Sequence, residues 1–180
     1  IAVAPDNDIW AGSWGRGLYR YSRQSQSWFH WENYNSPMVG VPQNNDYWAA
    51  TAVQIDQGNN VWVSSMGADS GVVVGVFEAA DSVWHVYHTG PNTVLENDVT
   101  TLQIQGNSIW IGMIDGLHRL NFNTTPFDES DDSWQNYFSR EFIVDMGLDP
   151  FGNLWFGALT GLYNTSPATG IARQVNLPSE

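Results

Sequence analysis

The residues best suited to recognise a ligand are aromatic and charged side chains in predicted loops. Aromatic rings stack on the apolar faces of sugars, while Asp, Asn and Arg side chains hydrogen-bond to hydroxyl groups. The candidate ligand-binding residues are Trp14, Arg16, Tyr47, Trp48, Asp69 and Asp115. Structural roles are the alternative: Trp14 and Trp48 can cover sheet edges as part of the core, and Arg16 can pair with a nearby Asp. Tyr47 and Trp48 belong to a long predicted loop, residues 33–50.

The sequence predicts no catalytic residues and no cofactor. The four histidines, His30, His85, His88 and His118, lack the spacing and the third ligand of a zinc site. His30 and His85 stand beside aromatic residues at equivalent places, which favours a packing role. The glycine-rich segment 12–17 connects two predicted strands and opens no helix, so it does not predict phosphate binding. A non-enzymatic protein is therefore expected.

An acidic run, residues 128–132, is the one segment that raises the question of a metal ion. Oxygen ligands alternate at Asp128, Ser130 and Asp132, and calcium prefers such ligands. However, the run has no glycine at a sharp turn and no bidentate glutamate further on. We expect a solvated acidic loop and no metal site.

Composition narrows the class of partner. The chain has 180 residues, no cysteine and a net charge of -13 at pH 7. Such a charge repels phosphate backbones, which argues against nucleic-acid binding. No apolar run reaches the roughly 18 residues of a membrane helix, so no membrane insertion is expected. The surface is rich in neutral polar residues, which hints at a periplasmic or extracellular setting. The chain starts at Ile1 without a signal-peptide pattern, so the numbering is expected to begin inside a processed or excised chain.

A short phrase centred on tryptophan recurs four times. Trp10, Trp62, Trp110 and Trp155 each follow a polar turn and lie 52, 48 and 45 residues apart. For a strand-rich unit, a period of this length is typical of β-propeller blades. Alternating and short apolar runs bounded by Gly or Asn predict strands throughout, and no long helical pattern is present.

Each copy predicts four strands, named a to d in chain order. Strand a covers residues 1–4, 52–55, 101–105 and 143–148, and strand b carries the tryptophan, which is expected to wedge between neighbouring sheets. Strand c covers residues 17–21, 75–77, 116–120 and 161–163. Strand d carries an aromatic pair in three copies: Trp28 with Trp31, Trp84 with Tyr87, and Trp134 with Tyr137. In the fourth copy, alternating Ile171, Arg173 and Val175 predict a weak strand d.

The predicted fold is all-β: a β-propeller of about four blades, each with four antiparallel strands. We expect one domain, residues 1–180, with blades at 1–35, 50–90, 99–139 and 142–176. A sheet that is apolar on both faces must be covered by neighbours. The four blades form either a complete small ring or part of a larger one. An open ring would leave two exposed end blades, which predicts a homo-oligomer or a truncated chain.

The pattern D-x-x-G-N-x-W-x-G-x-x-x-G-L-x-R-x, preceded by a short apolar strand, resembles the two-component-regulator propeller repeat. Residues 149–163 and 106–120 match it well, and residues 7–21 fit with one extra residue between strands b and c. The second copy departs from the pattern, because a longer Gly- and Val-rich insertion at residues 66–74 replaces the short turn.

This resemblance implies a propeller fold and an extracytoplasmic location. Proteins with such repeats are similar to sensor halves of bacterial hybrid signalling receptors, surface components of secretion systems, or lyases of a related propeller type. The resemblance supplies no catalytic residue, because the motif residues are structural. In propellers, ligands usually meet the face formed by the b–c and d–a loops.

The sequence therefore predicts a non-enzymatic binding module, a rigid β-propeller in the periplasm, on the cell surface or secreted. Its loop face is expected to bind a partner protein or a glycan. The first alternative is a structural or assembly subunit of a surface or secretion complex. The second is a propeller lyase, which would need a His, an Arg and a carboxylate converging near the axis.

Overall fold

The computed structural model describes residues 1–91, 93–94, 96–165 and 172–175. These residues form sixteen β-strands and two short 3-10 helices, Asp69–Gly71 and Glu129–Asp131. The strands are β1 (Ala2–Val3), β2 (Ile9–Ser13), β3 (Gly17–Ser22), β4 (Ser27–Trp31), β5 (Val53–Ile55), β6 (Val61–Ser64), β7 (Val72–Glu78), β8 (Val83–His88), β9 (Val99–Gln105), β10 (Ser108–Met113), β11 (Gly116–Asn121), β12 (Ser133–Ser139), β13 (Ile143–Leu148), β14 (Leu154–Ala158), β15 (Gly161–Thr165) and β16 (Ala172–Gln174). Neither helix in the described segments has the length and apolarity that crossing a bilayer requires.

Consecutive strands pair in sets of four. The described residues form four antiparallel sheets, β1–β4, β5–β8, β9–β12 and β13–β16, and within each sheet every strand pairs with its neighbour in sequence. The turn between the first two strands of each sheet needs a residue with positive φ. Asn7 (φ 69°), Asn59 (φ 69°), Gly106 (φ 58°) and Gly152 (φ 79°) supply it. The recurring Asn and Gly of the sequence motif are therefore explained by turn geometry.

The predicted strands are found, with two corrections. Strand β7 begins at Val72, so the end of the predicted insertion at 66–74 is strand and not loop. The Val72–Val74 run is β-branched and fits a strand, and Gly71 (φ 69°) makes the turn into it. Strand β1 is shorter than predicted, at two residues. In the fourth sheet, Arg173 lies in β16, while Ile171 and residue 176 lie outside the described residues.

The sheets are arranged as a fan around their first strands. β1 lies beside β5, β5 beside β9, and β9 beside β13. Three core clusters fill the spaces between successive sheets, and among the described residues none joins the first sheet to the fourth. The four sheets are consecutive blades of a β-propeller whose ring is not closed by the described part of the chain.

The repeated tryptophan packs against the next sheet. Trp10, Trp62 and Trp110 are 2%, 0% and 2% exposed. The Trp10 ring lies 6.0 Å from Phe77 of the second sheet, and the Trp62 ring lies 4.7 Å from Phe122 of the third. The sequence-based prediction that these indoles wedge between blades is confirmed for three copies.

The fourth tryptophan faces away from the core. Leu154 and Phe156 of β14 pack on the third sheet, whereas Trp155, between them, belongs to none of the described clusters. Side chains alternate along a strand, so Trp155 points to the opposite, uncovered face. The first sheet has a matching uncovered face, because Trp10 and Leu18 pack inward while Tyr19 and Tyr21 alternate with them.

In three blades, a side chain of the turn before strand b accepts a hydrogen bond from the indole N–H of the repeated tryptophan. The Nε1–H of Trp62 donates to Asp56 Oδ2 over 2.9 Å, and that of Trp155 donates to Asp149 Oδ2 over 3.1 Å. In the third blade, Gln105 Oε1 accepts from Trp110 at 2.8 Å. In the first blade the Arg20 guanidinium lies over the Trp10 ring at 5.4 Å, and Arg119 lies over Trp110 in the same way at 5.1 Å in the third.

Candidate functional site

The candidate site is the edge of the fan where the b–c and d–a loops meet. Because consecutive strands run in opposite directions, these two kinds of loop emerge at the same end of every sheet. We call this edge the loop face. It comprises residues 14–16, 32–52, 65–71, 89–91, 93–94, 96–98, 114–115, 140–142 and 159–160.

Trp14 and Tyr34 are large exposed aromatic side chains of the loop face. Trp14 is 65% exposed and Tyr34 is 73% exposed. The backbone under Trp14 is firmly held: Trp14 bridges Ala49, and the amides of Gly15 and Gly17 both donate to the Trp48 carbonyl at 3.1 Å. The alternative that Trp14 covers a sheet edge as core does not describe this structure, because most of its indole meets solvent.

Trp48 has the opposite environment. It is 1% exposed, and its Nε1–H donates to the Ser64 carbonyl over 3.2 Å. It therefore anchors the long loop to the core, as the structural alternative supposed, and its buried indole cannot meet a ligand at this surface. Tyr47, which is half-buried, packs its ring over Gly15, where a β-carbon would collide with it.

Arg16 and Asp69 lie at the surface on neighbouring loops. Arg16 Nη1 lies 3.4 Å from Glu32 Oε1, so its ionic partner is a glutamate and not the expected aspartate. The Arg16 side chain is still 71% exposed and remains available for contact. The Asp69 amide donates to the Gly40 carbonyl over 2.7 Å, which ties the long loop to the second blade.

Asp115 belongs to a separate cavity, between the second and third blades. Its Oδ1 lies 3.9 Å from His118 Nε2, and the Arg140 amide donates to its carbonyl over 2.6 Å, which fixes the turn. The cavity has a volume of about 420 Å³. Its lining residues are Pro91, Thr93, Val94, Asp115, His118, Trp134, Gln135 and Asn136.

A β-bulge in β12 shapes this cavity. The pairing of β11 with β12 shifts between Leu117 and His118, so Tyr137 is an extra residue in β12. Tyr137 and Phe138 then both pack towards the fourth sheet, while Asn136 lies opposite His118. His118 is not among the ligand-binding residues predicted from the sequence. The sequence signal that could have found His118 is its spacing from Leu120. The two residues stand two apart in strand c, so both face the second sheet.

A second cavity, of about 320 Å³, lies among the first strands at the centre of the fan. Residues from all four blades line it, and Thr101 donates to Asp145 Oδ1 over 3.2 Å there. Among the described lining residues, Asp145 is the titratable side chain. The described lining of this cavity includes neither His nor Arg beside that carboxylate.

Comparison with known proteins supports the fold. No protein-family profile and no curated protein sequence matches the chain. Among solved structures, it is similar to PorZ, a surface component of the type-IX secretion system of Porphyromonas gingivalis, with 19% identity and a TM-score of 0.77. It is also similar to the extracellular domain of a hybrid two-component system protein from B. thetaiotaomicron, with 17% identity and a TM-score of 0.67.

The chain is part of a β-propeller. The match covers 95% of this chain and 26% of PorZ, and 92% of this chain and 21% of the two-component protein. The chain thus spans about a quarter or less of the length of these propeller proteins. Two of the three kinds of protein implied by the sequence motif, sensor and secretion component, occur among the similar structures, which confirms the resemblance at the level of fold.

The acidic run is a structured turn of this propeller. Asp128 Oδ1 accepts from the Ser130 amide at 2.9 Å, and Thr125 Oγ1 donates to Asp131 Oδ1 over 2.8 Å. Glu129 lies 3.0 Å from His85 Nε2. Within the described ranges, no group of three or more His, Cys, Asp or Glu side chains is arranged to hold a metal ion.

His30 and His85 both pack against aromatic rings, but the prediction that they occupy equivalent positions is wrong. His85 pairs with Val76 on the Trp62 face of its sheet, whereas His30 pairs with Tyr19 on the face away from Trp10. His30 stacks on Tyr19 with ring centroids 4.0 Å apart, and His85 lies against Tyr87 at 4.7 Å. His88 Nδ1 lies 3.2 Å from the Ser70 carbonyl. His118 differs from these three, because it is buried at the wall of a cavity.

Proposed function

We propose that this chain is part of a rigid, non-enzymatic, extracytoplasmic recognition module that binds a partner protein through its loop face. The observation that carries the proposal is Trp14, an indole that is 65% exposed on a backbone held by hydrogen bonds. Tryptophan, tyrosine and arginine are enriched among the few residues that supply most of the binding energy at protein interfaces. A loop that is ordered before binding loses little conformational entropy on association.

The long loop supports this role because it is internally braced. The Gly40 amide donates to the Asn45 carbonyl over 3.0 Å, and Asn33 Nδ2 donates to Asp46 Oδ1 over 3.1 Å. The buried Trp48 fixes its end to the second blade. Tyr34 and Trp14 are thereby presented on one braced surface, with the exposed Arg16 as a charged neighbour.

A photo-crosslinking experiment tests the proposal. Benzoyl-phenylalanine is placed at position 14, and in a second protein at position 151, and both are irradiated in the native cell envelope. Phe151 is a matched control, because it is 87% exposed and lies in the β13–β14 turn at the opposite edge. We expect a discrete protein adduct from position 14 only. Equal adducts from both positions, or none from position 14, would reject the loop face as a binding surface.

Assembly is a second candidate function, favoured by the two uncovered sheet faces. Trp155 points out of the fourth sheet, and Tyr19 and Tyr21 point out of the first. Inside the fan, the face that carries the strand-b tryptophan always meets the opposite kind of face of the next sheet. Two copies of this chain can repeat that contact head to tail, which gives a homo-oligomer through the end blades.

The absence of cysteine makes this assembly easy to test. Tyr21→Cys and Asn164→Cys place thiols on the two uncovered faces, since Asn164 pairs with Trp155 in the register of β14 and β15. A short bismaleimide should join copies of the double variant, whereas each single variant should stay monomeric. A monomeric mass for the wild-type chain by light scattering, together with no crosslinking, would rule out assembly through a second copy.

A further inference from the structure

The cavity between the second and third blades is lined by two buried polar atoms that could each take part in a hydrogen bond with a ligand. Asp115 Oδ1 and His118 Nε2 make no hydrogen bond among the described residues. The His118 side chain is 9% exposed and lines the cavity. A polar atom removed from water without a hydrogen bond is costly, so a ligand that bonds to both atoms gains from satisfying them.

Both atoms can accept a hydrogen bond. Burial lowers the pKa of His118, and the nearby Asp115 carboxylate only partly offsets this, so the imidazole is neutral near pH 7. With its proton on Nδ1, a neutral imidazole accepts at Nε2. The two atoms are 3.9 Å apart, and one ammonium nitrogen about 2.9 Å from each would bridge them.

The residues that line the cavity favour the binding of a positively charged group. None of the described lining residues is Lys or Arg, and Asp115 supplies the one carboxylate. The indole of Trp134 lines the same cavity and can attract a cation through its ring face. The chain as a whole has a net charge of -13, which raises the local concentration of cationic groups.

We infer that this cavity is a binding site for a basic side chain, in which Asp115 and His118 accept hydrogen bonds from its ammonium or guanidinium group and Trp134 packs beside it. The inference rests on the proposed function, because the expected source of the side chain is a Lys or Arg of the partner protein. It adds a second, chemically specific contact to the loop face, on a different blade from Trp14.

NMR titration of the whole chain tests the site without requiring the partner. The probe is N-acetyl-lysine amide, and its neutral analogue N-acetyl-norleucine amide is the matched control. We expect saturable shifts of the Trp134 indole N–H and the His118 ring signals with the lysine compound only. Added NaCl should weaken these shifts, because the interaction is between opposite charges.

Two substitutions test whether the lysine compound binds at Asp115. Asp115→Asn should raise the dissociation constant about tenfold, since one charge-assisted hydrogen bond is lost. Asp81→Asn removes the same charge from the β7–β8 turn, at the opposite end of β8, and should leave the constant unchanged. Retained dispersion of the amide spectrum confirms that each variant is folded.

Three results would overturn the inference. Equal shifts with the norleucine compound would show an apolar cavity, and shifts with methyl glucoside but not with the lysine compound would show a hydroxyl-binding site. An absence of shifts with every probe would show that the cavity holds only solvent. None of these results involves Trp14, so partner binding at the loop face is judged separately by the crosslinking experiment.

Discussion

Asp149 and Trp155 are joined by a hydrogen bond from the indole Nε1–H to Oδ2 over 3.1 Å. The same carboxylate accepts from the amides of Phe151 and Asn153, each at 2.9 Å, and from the Asn153 side chain at 2.8 Å. One aspartate therefore closes the turn and orients the tryptophan that follows it. Asp56 makes the equivalent bond to Trp62 in the second blade. This relationship explains why the sequence motif couples an aspartate, an asparagine and a tryptophan at fixed spacing.

The Asp149 carboxylate should stay ionised to a lower pH than an ordinary aspartate, and its charge should stabilise the turn. Hydrogen bonds from Asn153 and Trp155 lower the pKa of Asp149 from 3.8 to about 2. A lowered folded-state pKa means that the ionised turn stabilises the fold above about pH 4, and that this contribution is lost as the pH falls towards 2. Asp149→Asn should lower the Tm by a few degrees at pH 7 and make the curve of Tm against pH flatter between 4 and 2. Thermal unfolding at several pH values checks this. If Tm falls between pH 4 and pH 2 as steeply in the variant as in the wild type, the assigned role of Asp149 is wrong.

The buried and the outward-facing tryptophan should differ in their effect on stability. Trp62→Ala leaves a cavity between the second and third sheets and should cost about 3–5 kcal/mol of unfolding free energy. Trp155 has no sheet beyond it in the described chain, so Trp155→Ala should cost less than about 2 kcal/mol, mainly through loss of its bond to Asp149. Urea unfolding at low protein concentration measures both. Equal losses would show that another surface covers Trp155.

Asp132 is expected to destabilise the protein above neutral pH. Burial raises its pKa to about 6, and the neighbouring Asp131, Glu129 and Asp128 add to this effect. The nearby Tyr87 hydroxyl donates to the Pro126 carbonyl over 3.2 Å, and both Asp132 carboxylate oxygens lack a hydrogen-bond partner among the described residues. A raised carboxyl pKa means that the contribution of Asp132 to stability is fully present below about pH 4 and is lost as the pH rises through about 6.

Asp132→Asn should therefore stabilise the protein at pH 8. The expected gain is of the order of 1 kcal/mol, less than the full shift implies, because Asp132 is partly exposed to solvent. Differential scanning calorimetry at pH 4.5 and pH 8 measures it. Asp81→Asn is the control, as it removes an exposed charge from another turn. If Asp132→Asn gains no more unfolding free energy at pH 8 than the control does, the Asp132 carboxylate does not have a raised pKa in the folded protein.

Gly17 should be a strict requirement of the first blade. Its φ is +65°, and a β-carbon there would collide with the Trp31 carbonyl and the Trp48 ring. Gly17→Ala should destabilise the protein by more than about 1 kcal/mol and displace the Trp48 anchor. Gly147→Ala is the matched control, because a β-carbon there has no heavy atom within 4 Å. Fluorescence-monitored unfolding compares the two, and similar behaviour would contradict the packing described for Trp48.

The propeller fold was predictable because its determinants recur in the sequence. Trp10, Trp62 and Trp110 each pack on the next sheet, so one local pattern reports the same contact three times. Turn residues such as Asn59 and Gly152 repeat for the same reason, since each must adopt positive φ. The same motif at Trp155 faces no neighbouring sheet within the described residues, so the local pattern alone does not report whether a neighbour is present.

The candidate site was less predictable because its geometry is not repeated. Trp48 stands in a long loop with polar neighbours, and only the fold reveals that it is 1% exposed. The cavity at Asp115 depends on a single bulge in β12 and on a loop from the preceding blade. Both features arise from contacts between distant parts of the chain, for which a single sequence carries no periodic signal.

Among the described residues, each cluster of apolar side chains connects adjacent sheets, and none connects the first sheet to the fourth. We therefore expect stability to be approximately a sum of terms within and between neighbouring sheets, and not the property of a single all-or-none unit. Stretched between its ends in an optical trap, it should lengthen in discrete steps, each releasing one sheet of some forty to fifty residues. Such a row can also gain or lose a unit by duplication or deletion in the gene without disturbing the units further along.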